Sequence, residues 1–144
     1  MINWQVDDLV IAKADGFGAD FGDGPYYFNT YSKDGLFKGT ISEPGILPRT
    51  VGSYIIGTNM PIRNNLLYYV HQNIISLSPD TRDNYVARMD NNGNTEIILH
   101  EIGVLPFKMG LDFDSKGYLY THSLYVNTNG PISDINHQIV KIKA

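Results

Sequence analysis

The chain has no cysteine among its 144 residues, so disulfide stapling and thiolate chemistry are excluded, while the compartment stays open, since exported bacterial proteins often lack cysteine too. Lysine and arginine are few and scattered, 11 against 15 acidic residues, giving a net charge of −4. No basic cluster offers a grip on nucleic acid or anionic lipid, so neither is expected as a partner. The longest apolar runs, such as Leu67 to Val70 and Ile97 to Leu99, are far too short to insert in a membrane as helices. No basic stretch followed by an apolar segment stands at the start, and no stretch sustains a 3.6-residue apolar period. What remains is a normal hydrophobic fraction of 42 %, with ten tyrosines, 14 glycines and seven prolines. That composition favours short strands punctuated by turns.

An internal repeat organises the chain. "TISEPGILP" at 40–48 aligns with "ILHEIGVLP" at 98–106, an offset of 58 that pairs Glu43 with Glu101 and Gly45 with Gly103. The same offset pairs Leu9 with Leu67, Tyr27 with Tyr85 and Gly35 with Gly93. A third unit starts at "KMGLDFDSKGYLYTHS", with Tyr120 and His122 answering Tyr69 and His71 at a shorter offset. The units span approximately 1–48, 49–106 and 107–144 of a single repeat-built β domain. Asp34-Gly35 and Asn92-Gly93 fall between two strand-like runs and supply the positive φ of a tight hairpin. "LLYYV" and "EIILH" are apolar on both faces, as in a small sheet covered by neighbours on either side.

Stacked antiparallel four-stranded sheets of this kind are the blades of a β-propeller. The expected fold is all-β, about three blades in an incomplete ring: second, third and fourth strands, then a full blade, then first, second and third strands. Residues 106–123 together with "NHQIVKI" at 136–142 resemble an NHL-type repeat through Gly110, Asp114, Gly117, Leu119, Tyr120, Asn136, His137 and Ile139. An insertion at 124–135 departs from that pattern. "DDLVIAKADGFGADFGDGPYYF" near the N-terminus is more weakly similar to the FG-GAP repeat, with Ala12-Lys13 in place of its usual Gly-Ala. A propeller needs at least about four blades to close. The expected partners are therefore a further copy of the chain, forming a homo-oligomer, or the missing blades of a longer one.

Three segments read as long equivalent loops on one face: 14–24 "ADGFGADFGDG", 72–84 "QNIISLSPDTRDN" and 123–136 "SLYVNTNGPISDIN". Phe17, Phe21 and Tyr125, with Asp20, Asp23, Asn127 and Asn129 nearby, suit stacking and hydrogen bonding to a carbohydrate or another small molecule. Asp15, Asp20 and Asp23 form one candidate calcium set, although their intervals depart from those of an EF-hand loop, and carboxylates capping local N–H groups are the ordinary alternative. His122, Asp134 and His137 form a second candidate set, for zinc or iron. His100 reads as a rim residue, and Glu43 and Glu101 as charges at a structural turn. No G-x-S-x-G, Walker or dinucleotide-binding spacing occurs. A non-catalytic ligand- or protein-binding module without a required cofactor is thus the preferred expectation. The alternative is a piece of a metal-dependent propeller hydrolase or lyase similar to gluconolactonase-like enzymes, to which Asn129, Asp134 and Glu101 would contribute.

Overall fold

The computed structural model describes residues 1–14, 26–43, 52–56, 59–78, 80–104, 107–126 and 135–143. Among these the regular structure is entirely β, in three antiparallel sheets that follow one another along the chain. The first blade holds β1 (Leu9–Ala14), β2 (Tyr26–Tyr31) and β3 (Phe37–Glu43), in that spatial order. The second holds β4 (Gly52–Ile56), β5 (Ile62–Arg63), β6 (Leu66–Leu77), β7 (Asp80–Met89) and β8 (Thr95–Val104). The third holds β9 (Phe107–Phe113), β10 (Tyr118–Val126) and β11 (Ile135–Lys143). The expected sequence of a three-stranded, a full and another three-stranded blade is the architecture observed.

The first strand of the second blade is split. Both β4 and β5 pair with β6, whose other edge is taken by β7, so β4 and β5 share one edge. Ile56 lies opposite Val70 and Ile62 opposite Leu67, so six steps along the split strand match three along β6. A tight turn at Asn64 and Asn65, both with positive φ (51° and 58°), joins β5 to β6.

The 58-residue offset holds in the hydrogen-bonded ladders themselves. Leu9 faces Tyr31 as Leu67 faces Met89, and Tyr26 faces Glu43 as Asn84 faces Glu101. Three hairpin turns also share one construction. Gly35, Gly93 and Gly117 take φ of 81°, 89° and 87°, a left-handed conformation that favours glycine. The N–H of each donates to the carbonyl three residues back, on Ser32, Asp90 and Asp114, at 2.9–3.0 Å. That leading residue then accepts two further backbone N–H groups on its own side chain: Ser32 Oγ from Asp34 and Leu36, Asp90 Oδ1 from Asn92 and Asn94, and Asp114 Oδ1 from Lys116 and Tyr118. The short polar side chain satisfies turn amides that the strands cannot reach.

Two cores lie between the blades. Phe28 and Val10 of the first blade pack on Leu67, Tyr69, Tyr85, Ala87 and Met89 of the second. Tyr68, Val70 and Val86, on the opposite face of the second blade, pack on Leu111, Leu119 and Ile142 of the third. Alternation along β6 thus sends Leu67, Tyr69, His71 and Asn73 to one neighbour and the residues between them to the other. Ile2 and Trp4, in the segment before β1, complete the first core, where the Trp4 indole N–H donates to Thr30 Oγ1 at 3.0 Å.

Two sequence readings need correction. Residues 72–84 are not a long loop: β6 and β7 stay paired from Gln72 opposite Asn84 to Leu77 opposite Asp80, with a register shift between Ile74 and Ser76. The blade map put the connection between second and third strands there, but a long paired hairpin carries the polar side chains while the backbone ladder continues. Tyr120 and His122 do not answer Tyr69 and His71. Leu119 and Thr121 are the β10 residues buried on the side of the second blade, so Tyr120 and His122 lie on the opposite side of their sheet. A slip of one residue exchanges the two faces of a strand.

Candidate functional site

Polar side chains gather between the first two blades, toward the end where β3 finishes and β6 leads into β7. Along the face of β6 that meets the first blade, Leu67 and Tyr69 give way to His71 and Asn73. Glu43, the last residue of β3, is fully buried opposite them. The Tyr69 and Tyr85 hydroxyls each donate to Glu43 Oε1 at 3.4 Å. Burial, reinforced by the negative charge of Glu43 and by Tyr85, pushes the Tyr69 phenol far above its ordinary value, so it stays protonated and remains a donor.

His71 is stacked on Tyr85, with ring centroids 4.8 Å apart and planes inclined by 26°, and meets Tyr26 edge-on at 5.4 Å. Its Nδ1 lies 3.4 Å from Glu43 Oε2, within ion-pair range, yet neither atom has a hydrogen-bond partner. His71 Nε2 and both amide atoms of Asn73 are likewise buried and unpartnered. Each such group costs on the order of 1–3 kcal/mol unless something satisfies it. Five of them on three adjacent side chains form the most polar-deficient place among the described residues.

The track continues outward. Asn73 lies opposite Asp83 in the ladder, and Asp83 is paired with His100, whose side chain is 38 % exposed. On the other face of the same hairpin Gln72 donates to Asn84 and accepts from Arg82 Nη1 at 2.8 Å. The end of the second blade is therefore polar on both faces, whereas its middle is apolar on both. Such an arrangement can hold a small polar or cationic group, with two tyrosines fixing the carboxylate.

The residues singled out from the sequence fall elsewhere. Asp15, Phe17, Asp20, Phe21, Asp23, Asn127, Asn129 and Asp134 lie outside the described residues. Tyr125 stands in β10, in register with Asn136, and not in a loop. His122 pairs with Ile139 and His137 with Leu124, which places the two histidines two steps apart along one ladder. His122 also lines a shallow surface groove of about 260 Å³ with Asn59, Asp112, Tyr120 and Ile139. Glu43 and Glu101 are not turn charges, because both belong to strands. Among the described residues no group of three or more His, Cys, Asp or Glu side chains is gathered for a metal.

Sequence reasoning missed the Glu43–His71–Asn73 constellation. The available signal was the recurrence of Glu at one register beside a histidine in an otherwise apolar strand. No family model, curated protein or solved structure matches the chain.

Proposed function

We propose that the chain is a non-catalytic binding module of the β-propeller type, whose row of blades is completed by another copy of itself or by further blades of a longer protein. A single comparison carries this reading: repeat-equivalent residues are buried in the second blade and uncovered in the first. Leu67, Tyr69, Tyr85, Ala87 and Met89 are fully buried by the blade before them. Their counterparts are Leu9 and Ile11, which are 58 % and 47 % exposed, and Tyr27, Asn29 and Tyr31, which are half-buried. The far face of the third blade is open in the same way at Ile139, Lys141 and Lys143.

The first-blade face, with Leu9, Ile11, Tyr27 and Tyr31 on it, is of an apolar content that is ordinarily covered. In such a ring the ligand, a small molecule, carbohydrate or protein segment, would meet the end of the blades where the β6–β7 hairpin and its polar side chains stand. Light scattering tests the self-assembly arm: the expected mass is a multiple of 16.1 kDa, reduced to one copy by Leu9→Lys with Ile11→Asp. A stable wild-type monomer overturns self-assembly and leaves blades of a longer chain as the completing element. A monomer whose Leu9, Ile11 and Tyr31 are already shielded from a soluble paramagnetic probe overturns the open-row reading altogether.

A further inference from the structure

We propose that the partner covering the first blade is a second copy of this chain, joined head to tail so that two copies close one six-bladed ring. The inference rests on the open-row reading above, to which it adds the identity of the partner and the two faces that meet.

Alternation along the strands gives every blade two unlike faces. Facing backward along the row are Leu9 and Ile11 in the first blade, Leu67 and Tyr69 in the second, and Leu119 and Thr121 in the third. The third-blade equivalence follows from the turns: Ile62 opposite Leu67 and Phe113 opposite Leu119 are the last pairs of matching hairpins. Facing forward are Val10 and Ala12, then Tyr68 and Val70, then Tyr120 and His122. Their ladder partners correspond as well, since Lys141 beside Tyr120 answers Arg88 beside Tyr68, and Ile139 beside His122 answers Val86 beside Val70. Both cores within the chain set a forward face on a backward one: Val10 on Leu67 and Tyr69, and Tyr68 and Val70 on Leu119.

The faces left open among the described residues are one of each kind, backward on the first blade and forward on the third. Each therefore matches the other and not itself. A contact between unlike faces either closes into a ring or runs on as a filament. Propeller rings hold about four to eight blades, and with three blades per copy six is the one multiple in that range, so closure takes two copies.

The surfaces agree in chemistry. Leu9 and Ile11 project from the first-blade face beside the half-buried Tyr27 and Tyr31. A shallow groove lined by Tyr120, His122 and Ile139 opens on the third-blade face and suits a branched aliphatic side chain. There Lys141 Nζ lies 3.8 Å from the centre of the Tyr118 ring and 5.7 Å from that of Tyr120, a cation set among rings of the kind that Tyr27 and Tyr31 would add. Because His122 replaces Val70, this junction is more polar than its counterpart inside the chain, and copies should exchange across it.

By light scattering the wild-type chain should show twice 16.1 kDa. Ile11→Asp and Ile139→Asp, on opposite end blades, should each raise the dissociation constant of the pair by at least about tenfold. The chain has no cysteine, so a nitroxide on a Lys143→Cys copy is the sole label when that copy is mixed with an isotope-labelled wild-type chain. It should broaden the partner's amides at 9–11 and 29–31. Broadening centred on the partner's third blade, a mass of three or more copies, or undiminished assembly of Ile139→Asp overturns the proposal. A stable wild-type monomer also overturns it. If a soluble paramagnetic probe reaches the Leu9 and Ile11 amides of that monomer, the second copy alone is lost and blades of a longer chain remain; if they are shielded, the open-row reading is lost too.

Discussion

The leading residue of each hairpin turn does chemical work that a charge count conceals. Asp90 is held below its ordinary carboxylate value, first by the hydrogen bond from the Asn94 side chain and then by backbone N–H groups. Asp114 is lowered in the same sense, chiefly by the Tyr118 N–H and then by the Tyr120 hydroxyl and the Lys116 N–H. A carboxylate with a depressed folded value stabilises the fold at every pH above its unfolded value of about 3.9, and that contribution is lost as pH falls through the folded value. Carbon-detected NMR titration should therefore find both groups protonating below the unfolded reference. In the Asp90→Asn, Asp114→Asn double variant, the acid limb of the stability curve should be flatter. Ser32 fills the same position without a charge, so its capping of the first hairpin adds nothing to that limb.

Among the elements, the segment before β1 has the largest consequence for its size. It carries the chain's one tryptophan, at 3 % exposure, and ties the first blade to the second through the Trp4 backbone N–H, which donates to Asn65 Oδ1 at 2.8 Å. Trp4→Ala should cost about 3–5 kcal/mol, read from urea unfolding followed by circular dichroism, because a large buried ring and a buried indole hydrogen bond are lost together. Nothing in "MINWQVDD" announced that role, since the segment has no strand or helix period. Strand order, blade sizes and the glycine turns were legible, because backbone conformation at Gly35 and Gly93 and burial on both faces of β6 leave local marks in the sequence. The break between β4 and β5 was not legible, because pairing with β6 is a non-local matter. Nor was the Glu43–His71 contact, which joins residues of different blades through side-chain geometry that repeat spacing does not encode. The one-residue slip at Tyr120 and His122 has the same origin: a shared Tyr-x-His pattern survives a change of face.

On the scale of the whole molecule, the repeat is a statement about coverage as much as about sequence. Equivalent strands keep the same ladder partners in the first and second blades, yet among the described residues only the second has a neighbour on each side. Arg88 and Glu96 form a surface pair at 2.7 Å on the second blade, and the hydrogen bond that Arg88 donates to Glu96 raises the arginine above its ordinary value. Such exposed pairs add little stability, and this one joins β7 to β8 within a single blade; between blades the hold comes from the two apolar cores and from the hydrogen bonds of Glu43 and Trp4.

The doubly covered middle hairpin therefore sets an order of opening. Amides of β6 and β7 are shielded by a sheet on each side, whereas among the described residues β1 and β11 each have one ladder partner and an uncovered face. Native-state hydrogen exchange should reach β1 and β11 through small local openings, while β6 and β7 exchange only with global unfolding. A partner chain that covers an end blade should slow exchange in that blade alone. The isotope pattern would then record which side of the row is occupied, blade by blade, without a structure of the assembly.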